Sequence, residues 1–446
     1  MGMRSPAADG GALPARAVGV LAMAVALTAS MLASSSASTE RASTERASTE
    51  SAASSAGGAA AVVDATRNRI AGRHLLAFSP EDASVWIAGG EPDGRARRIP
   101  ARPELIDVIQ AGPASRFAYA ATGDGWIVQL DLERGLPSAE ARVAQRIAAI
   151  AASADDRYLA VAAVDPPALL VFDRALRLVR RLEATDAAGM QRSPVTAVLP
   201  ADTRRSFVAM LPGIREVWEV SYDETAPDIP AGGTIHDFRF AEGAFVRGFL
   251  NPQRSRLSQP AHGGLLGPSG DELLFPASDR PALQVLYLDG RRTIAAPQFA
   301  TAPRVGKAAA WRDDRRSWIG IALDIEGVAL LDADTWRTER IIATGGPVGA
   351  VIAHPASERV WLMSEGSGPG ADAMRPIARP ALTIGADWRP VPGRPIRWAR
   401  FAPDGGTLYV AIDGRDGLLV AFDAHSLKER WRVELPSPRA PAAFSR

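Results

Sequence analysis

The sequence of 446 residues contains no cysteine. Disulfide bonds, cysteine-ligated zinc or iron–sulfur clusters and the Cys-x-x-Cys-His attachment of a c-type haem are therefore excluded within it. A lipoprotein anchor is excluded as well, because that anchor needs a cysteine. Net charge is also nearly absent: 51 basic against 50 acidic residues give a formal charge of +1. No overall field would attract nucleic acid or an acidic membrane, so neither is an expected partner.

Lysine, histidine and recognised catalytic motifs are scarce. Only Lys307 and Lys428 are lysines, and we attribute the arginine excess to a GC-rich genome. The chain has no Gly-x-Ser-x-Gly elbow, no His-Glu-x-x-His motif and no phosphate-binding loop. We therefore expect no independent turnover. Five histidines are present: His74, His236, His262, His354 and His425.

The N-terminal region has the pattern of a secretory signal. Arg4 and Arg16 precede an uncharged run of small and aliphatic residues over 17–33, and Ser35-Ser36-Ala37 offers a cleavage region. The run is slightly short for a membrane span, which needs ~20 apolar residues. We predict a signal peptide over residues 1–37, a periplasmic location and no stable membrane span after cleavage. An uncleaved anchor is the alternative.

Residues 38–59 predict a disordered low-complexity tether. The pentapeptide Ala-Ser-Thr-Glu-Arg begins at Ala37 and at Ala42, and a partial copy begins at Ala47. Repeats of small polar residues cannot bury enough apolar surface to offset chain entropy.

Residues 60–446 predict a single all-β domain. One unit recurs: a turn, an alternating strand with a large apolar residue, a loop, and a strand that often ends in Asp. Most intervals between copies are close to the ~40–50 residues of a four-stranded propeller blade. Eight copies predict an eight-bladed β-propeller, with the anchors Trp86, Phe117, Tyr158, Phe207, Leu274, Trp318, Trp361 and Tyr409.

Two departures from the repeat carry further predictions. The longest interval, from Phe207 to Leu274, indicates an insertion over about residues 221–258. The segment Val62-Val63-Asp64 looks like a spare strand, and we expect it to complete the final blade and close the ring.

Of the histidines, only His262 lies in an unusual context. His74, His354 and His425 are interpreted as surface residues near strand ends or turns. His262 lies in Pro-Ala-His-Gly-Gly, where two glycines allow the backbone to approach another group closely. Taken alone, it is more simply a loop histidine than a ligand.

Several stretches resemble the cytochrome d1 propeller family, which includes the haem-d1 domain of periplasmic nitrite reductase and its haem-d1 maturation relatives. They are Ser-Pro-Val-Thr-Ala-Val (193–198), Arg-Ser-Phe-Val-Ala (205–209), Glu-Val-Trp-Glu-Val-Ser-Tyr-Asp (216–223), His-Asp-Phe-Arg (236–239) and Phe-Leu-Asn-Pro (249–252). The resemblance is densest over residues 193–262. It implies an eight-bladed propeller that holds haem d1 on its axis.

The resemblance also implies site residues. The His262-Gly-Gly context resembles that of a distal histidine in the family and implies an iron ligand. A second histidine context of the family, Pro-His-x-Gly, reads Pro-Arg-Val-Gly here, so Arg304 replaces the imidazole. Arg304 would instead pair with carboxylates of the macrocycle. His236 and Arg239 are implied as further cofactor-binding residues, while residues 105–108 lack the family's proximal histidine.

Three classes of function remain open. The resemblance implies an accessory protein that binds haem d1 or a precursor for maturation, or for delivery to nitrite reductase, with those proteins as partners. Loss of two histidines favours the alternative, a non-catalytic periplasmic scaffold for a protein or small ligand. A reductive enzyme with its own turnover would need an electron donor, usually a c-type haem, which this sequence cannot attach. The fold alone does not choose among them.

Overall fold

In the computed structural model, the described residues form nine antiparallel sheets, of which eight are propeller blades and one is an inserted two-stranded sheet. The described residues are 75–80, 82–88, 96–110, 115–230, 245–313, 316–325, 327–366, 370–379, 381–402, 404–414 and 416–439. All of them belong to one compact unit, residues 58–446. Seven sheets have four strands and the first has three described strands. The predicted signal and tether lie outside the described residues.

The strands of the first four blades follow the chain, apart from one inserted pair. They are β1 (Leu75–Ser79), β2 (Ser84–Ala88) and β3 (Arg97–Pro100) in blade 1; β4 (Leu105–Gln110), β5 (Phe117–Thr122), β6 (Trp126–Asp131) and β7 (Leu136–Arg142) in blade 2; β8 (Arg146–Ala152), β9 (Tyr158–Asp165), β10 (Ala168–Asp173) and β11 (Leu178–Glu183) in blade 3; β12 (Ala197–Ala201), β13 (Ser206–Leu211), β14 (Glu216–Ser221), the inserted β15 (Ile229–Pro230) and β16 (Phe245–Val246), and β17 (Pro252–Arg256) in blade 4. Two single-turn 3₁₀ helices, Asp202–Arg204 and Pro212–Ile214, lie in the turns of blade 4.

The last four blades each take four consecutive strands. They are β18 (Leu265–Leu266), β19 (Glu272–Pro276), β20 (Leu283–Tyr287) and β21 (Arg292–Ala295) in blade 5; β22 (Pro303–Arg312), β23 (Ser317–Leu323), β24 (Val328–Asp332) and β25 (Arg337–Ile342) in blade 6; β26 (Val348–Ile352), β27 (Arg359–Ser364), β28 (Met374–Ala378) and β29 (Thr383–Ile384) in blade 7; β30 (Ile396–Phe401), β31 (Thr407–Ile412), β32 (Leu418–Asp423) and β33 (Glu429–Glu434) in blade 8.

The eight-bladed prediction is confirmed, because each anchor of the repeat lies in the second strand of a different sheet. The aspartates at the ends of third strands make the following turn, as the sequence suggested. The Oδ1 atom of Asp332 accepts hydrogen bonds from the amides of Asp334 and Thr335, at 2.9 and 2.8 Å. The carboxylate thus satisfies amides that the turn removes from the ladder.

Strand order places the first strand of each blade on the inside of the ring. The first strands of neighbouring blades contact one another, as β4 and β8 or β22 and β26 do. Fourth strands such as β7 are largely exposed. Since the strands are antiparallel, the chain enters the first strand on the same side on which the second and third strands are joined. We call this side the upper face and the opposite side the lower face.

The core lies between neighbouring blades and explains two of the family-like stretches, 205–209 and 216–223. Phe207, Trp218 and Tyr222 are fully buried in one cluster that joins blades 3 and 4. The rings of Phe207 and Tyr222 lie 5.1 Å apart, and the Tyr222 hydroxyl accepts a hydrogen bond from the amide of Ala154. These residues therefore pack the blades against each other and do not face a ligand.

The predicted insertion is present. The insertion joins β14 to β17 and contains the paired strands β15 and β16. The spare strand expected at residues 62–64 lies outside the described part of the chain. Among the described residues, blade 8 takes four strands from residues 396–434, and Arg439 forms an antiparallel bridge with Phe78 of β1.

Candidate functional site

The His262 loop lies on the upper face, between the last strand of blade 4 and the first strand of blade 5. The imidazole is exposed, and no hydrogen bond joins it to any described residue. Its backbone is fixed, because the Thr196 hydroxyl donates to the His262 carbonyl oxygen at 3.0 Å. Thr196 comes directly before β12, so this bond ties the loop to the inner rim of blade 4.

The two glycines after His262 have different roles. A Cβ atom at Gly264 would lie 2.7 Å from the carbonyl oxygen of Leu274 and 2.8 Å from the side chain of Leu273. Only glycine therefore lets this chain pass against β19. A Cβ atom at Gly263 would meet no described atom within 4 Å, so the space beside His262 is open.

A wide bulge lies in β22, the first strand of blade 6, and begins at Arg304. Arg304 pairs with Ala322 in the ladder and the next pair is Ala309 with Gly320, so four residues face one residue of β23. The inner strands of blades 2, 7 and 8 have single-residue irregularities, as at Leu105/Asp107 in β4. Bulges of this kind re-aim side chains, often beside functional sites.

The bulge holds two cations around one carboxylate. The guanidinium of Arg304 donates two hydrogen bonds to Glu365, of which Nη2 to Oε1 measures 2.8 Å. Lys307 Nζ donates to the same Oε1 atom. Asp324 Oδ1 lies 3.7 Å from Arg304 Nε, at the turn between β23 and β24. We call Arg304, Lys307 and Glu365 the bulge triad.

The bulge triad is accessible, and the pKa values of its carboxylate and its guanidinium are shifted. The side chains of Arg304, Lys307 and Glu365 are 25, 29 and 33% exposed. Hydrogen bonds from Arg304, and to a lesser extent the Lys307 ammonium, lower the pKa of Glu365 to about 2 although burial opposes the shift. The same carboxylate raises the pKa of Arg304. Glu365 and Arg304 therefore both carry full charge at neutral pH.

The structure brings His262 and Arg304 to the same face, at the entry to the inner strands of adjacent blades. His236 and Arg239 lie outside the described residues. Among the described residues, β14 ends and β17 begins on the lower face, the side opposite His262. Of the other histidines, His425 is exposed as predicted and His74 lies outside the described residues. His354 is half-buried, with its ring 5.6 Å from that of Phe401.

The segment without the family's proximal histidine forms the inner strand of blade 2. Its Asp107 is buried, and the Asp107 carboxylate accepts a hydrogen bond from the amide of Val108 at 2.8 Å. Burial lowers the pKa of Arg400 in β30 to about 10, while the charge of Asp107 acts in the opposite sense. The inner ring thus carries charged groups in blades 2 and 8.

Sequence reasoning missed Lys307 and Glu365. Lys307 was one of only two lysines and lay three residues after Arg304, which was the available signal. Glu365 gave none, because it is 61 residues away in sequence and meets Arg304 only through the packing of blade 7 on blade 6. Among the described residues, no group of three or more His, Cys, Asp and Glu side chains is arranged for a metal ion. No helix in this part of the chain is long and apolar enough to span a membrane.

The described residues thus form an eight-bladed propeller that carries an exposed imidazole and two bulge cations on one face. The Cytochrome D1 heme domain model matches residues 80–250 and 277–441 of this chain. The protein belongs to that family. Arg304 and the rest of the bulge triad lie in the second matched segment, whereas His262 lies between the two.

Two proteins of Pseudomonas aeruginosa are similar to this chain. Dihydro-heme d1 dehydrogenase is 29% identical over 362 residues, which cover 80% of this chain and 68% of that protein. Protein NirF is 28% identical over 371 residues, 80% of this chain and 87% of its own length.

Two solved structures are similar to this chain in fold. Dihydro-heme d1 dehydrogenase NirN in complex with DHE superposes with a TM-score of 0.71 at 27% identity, over 82% of this chain and 74% of that one. The Saccharomyces cerevisiae protein Sqt1 has a TM-score of 0.57 at 9% identity, over 81% of this chain and 88% of that one, and shows a shared fold alone.

Proposed function

We propose that this protein binds haem d1 or a precursor of it on the upper face, and serves in its maturation or in its delivery to nitrite reductase. The observation that carries the proposal is the position of the His262 loop and the β22 bulge. They supply an imidazole and two cations at the entry to the inner strands of adjacent blades in a cytochrome d1 propeller.

The residues present fit an anionic iron tetrapyrrole. His262 has an exposed ring with no hydrogen bond from a described residue, so either nitrogen is available to ligate iron. Arg304 and Lys307 carry the charges that bind macrocycle carboxylates, with Arg304 able to do so bidentately. When bound, the cofactor supplies a redox-active iron, while these side chains bind and orient it.

The similar proteins support the ligand class. One of them is named for dihydro-heme d1, which is a tetrapyrrole of the same group. We propose the same class of ligand here, with haem d1 maturation proteins or nitrite reductase as the partners that supply or receive it. The predicted signal over residues 1–37 supports a periplasmic location for this exchange.

An optical titration tests the proposal. Purified protein is titrated with haem d1, with haem b as the control tetrapyrrole and albumin as the control protein. We expect saturable binding of haem d1 that is tighter than that of haem b, and a spectrum that changes in His262→Ala. Binding of haem d1 no tighter than to albumin would refute the proposal.

A specific observation favours a second candidate. Arg304 already has a bidentate partner in Glu365, and neither position 304 nor residues 105–108 provide an imidazole. A propeller that has lost the cofactor and serves as an interaction scaffold would have these features. Failure of the haem d1 titration, with a cooperatively folded protein, would favour this scaffold.

A further inference from the structure

Glu365 satisfies the two cations of the bulge with a carboxylate from the protein itself. Its two oxygens accept hydrogen bonds from both terminal nitrogens of Arg304 and from Lys307 Nζ. A guanidinium offers two bidentate edges to a planar acid. The edge that contains Nε faces Asp324, whose Oδ1 lies 3.7 Å from that atom, so a ligand carboxylate would need the Nη1 and Nη2 donors that Glu365 occupies. Ligand and Glu365 cannot both occupy these donors.

The surroundings of the bulge triad leave space for a ligand carboxylate to replace Glu365. Gly306, at the centre of the bulge, is exposed, and a Cβ atom there would meet no described atom within 4 Å. The Glu365 side chain is one-third exposed and comes directly after the end of β27, so it is not locked inside the sheet. Water can hydrate the carboxylate once it leaves the two cations.

We propose that Glu365 is a resident carboxylate that occupies the carboxylate-binding position of Arg304 and Lys307 in the ligand-free protein. A ligand must displace it, which makes Glu365 a specificity-determining residue. A tetrapyrrole with several carboxylates replaces the lost ion pairs with its own, whereas a neutral or esterified macrocycle does not. The site therefore selects polycarboxylate tetrapyrroles. This inference rests on the proposed function for its ligand class.

The test uses the full chain and a metal-free probe, so that ligation of iron by His262 does not contribute. Coproporphyrin, which has four carboxylates, and its tetramethyl ester are titrated into wild type, Glu365→Gln and Asp324→Asn, with fluorescence as the readout. We expect Glu365→Gln to bind coproporphyrin about tenfold more tightly, since a competing charge-assisted pair is removed. The ester should show no such gain.

Asp324→Asn is the matched control, because it removes one negative charge beside Arg304 and leaves Glu365 on the Nη1 and Nη2 donors. Four outcomes would overturn the inference. Two are an equal gain in coproporphyrin affinity in Asp324→Asn and an equal gain in affinity for the ester. The others are an unchanged affinity in Glu365→Gln and no coproporphyrin binding by any variant. The haem d1 titration of the wild type reports separately on the proposed function. Haem d1 binding with no effect of Glu365→Gln would leave the proposed function standing and refute the role of Glu365.

Discussion

Phe78 and Arg439 exchange two backbone hydrogen bonds from opposite ends of the described chain. The amide of Arg439 donates to the carbonyl oxygen of Phe78 at 2.8 Å, and the reverse bond measures 3.2 Å. Phe78 is buried between blades 1 and 2, while Ala77 beside it packs against blade 8. This bridge therefore fastens the C-terminal segment, which follows blade 8, to blade 1.

We predict that the bridge contributes to stability. A chain that ends at Pro438 loses both hydrogen bonds and should be less stable by about 1–3 kcal/mol, from the usual contribution of two such bonds. A chain that ends at Ala440 keeps them and is the matched control. Chemical denaturation measures both. Equal stability of the two truncations would show that the bridge does not fasten the ring.

Blades 4 and 5 are joined at the lower face by Arg204. Its guanidinium contacts Glu219 at 2.8 Å, Asp271 at 2.8 Å and Asp289 at 2.7 Å, so one cation serves three carboxylates in two blades. The side chains of Arg204 and Glu219 are only 16 and 9% exposed. Hydrogen bonds to these carboxylates outweigh burial and raise the pKa of Arg204.

Arg204→Leu should therefore destabilise the protein by about 3 kcal/mol, because it leaves the Glu219 carboxylate buried without its partner. The double change Arg204→Leu with Glu219→Leu removes the stranded charge and should recover part of the loss. Urea denaturation of the wild type and both variants provides the comparison. If the double variant is no more stable than the single one, the stranded charge is not the cause.

The repeat was predictable from sequence because its signals are local. An alternating strand, a turn residue and a closing aspartate lie within a few residues of each other, and each of the eight predicted anchors lies in the second strand of a blade. The Glu-Val-Trp-Glu-Val stretch shows that a family-like motif does not by itself mark a ligand site. Its Trp218 is buried, its Nε1 donates to Glu216 at 2.7 Å, and the Arg254 guanidinium carbon lies 4.6 Å from the centre of its ring. We therefore attribute the resemblance of this stretch to the family to packing within the core.

The candidate site was predictable only in part. His262 and Arg304 were found through short motifs, and the order of strands places both on the upper face. The width of the β22 bulge depends on how Ala309 pairs with Gly320, and nothing in the local sequence specifies that register. The partner of Arg304 comes from another blade, so it becomes known only once blades 6 and 7 are packed together.

His262 should be the residue that shapes the spectrum of the bound cofactor. His262→Ala removes the one imidazole in family register, and a nitrogen ligand strongly affects the visible bands of an iron tetrapyrrole. We expect a shifted spectrum of the haem d1 complex in this variant. His425→Ala is the control, because His425 is exposed in a lower-face turn. Identical spectra of wild type and His262→Ala would exclude iron ligation by His262.

Arg304 should act on affinity and leave the spectrum nearly unchanged. Arg304→Ala removes a charge-assisted pair with the ligand, but it also removes the pair with Glu365 in the free protein, so we expect a loss of about 1.5 kcal/mol, the lower end of the usual range. This corresponds to roughly tenfold weaker binding of haem d1. Arg304→His restores the imidazole of the family and should alter the spectrum. An affinity unchanged in Arg304→Ala would refute this carboxylate site.

Glu365 should contribute to stability in a pH-dependent way. Its pKa falls from an ordinary value of 4.5 to about 2 in the folded protein, chiefly through hydrogen bonds from Arg304. A lowered folded-state pKa gives stability that is fully present above the unfolded value of 4.5 and is lost as the pH falls towards 2. The wild type should therefore be more stable than Glu365→Gln at pH 6, and the difference should disappear near pH 2. Because the carboxylate is one-third exposed, 1 M salt should also reduce the difference.

The same substitution should thus act in opposite directions on folding and on binding. Glu365→Gln lowers the free energy of unfolding at neutral pH because the bulge cations lose their resident partner, and it tightens coproporphyrin because the same cations become available. Denaturation and titration of one preparation at pH 7 measure both effects. A variant that is less stable and also binds more weakly would indicate that Glu365 holds the bulge in its binding conformation. A difference in stability that does not vary between pH 6 and pH 2 would contradict the assignment of the lowered pKa to Glu365.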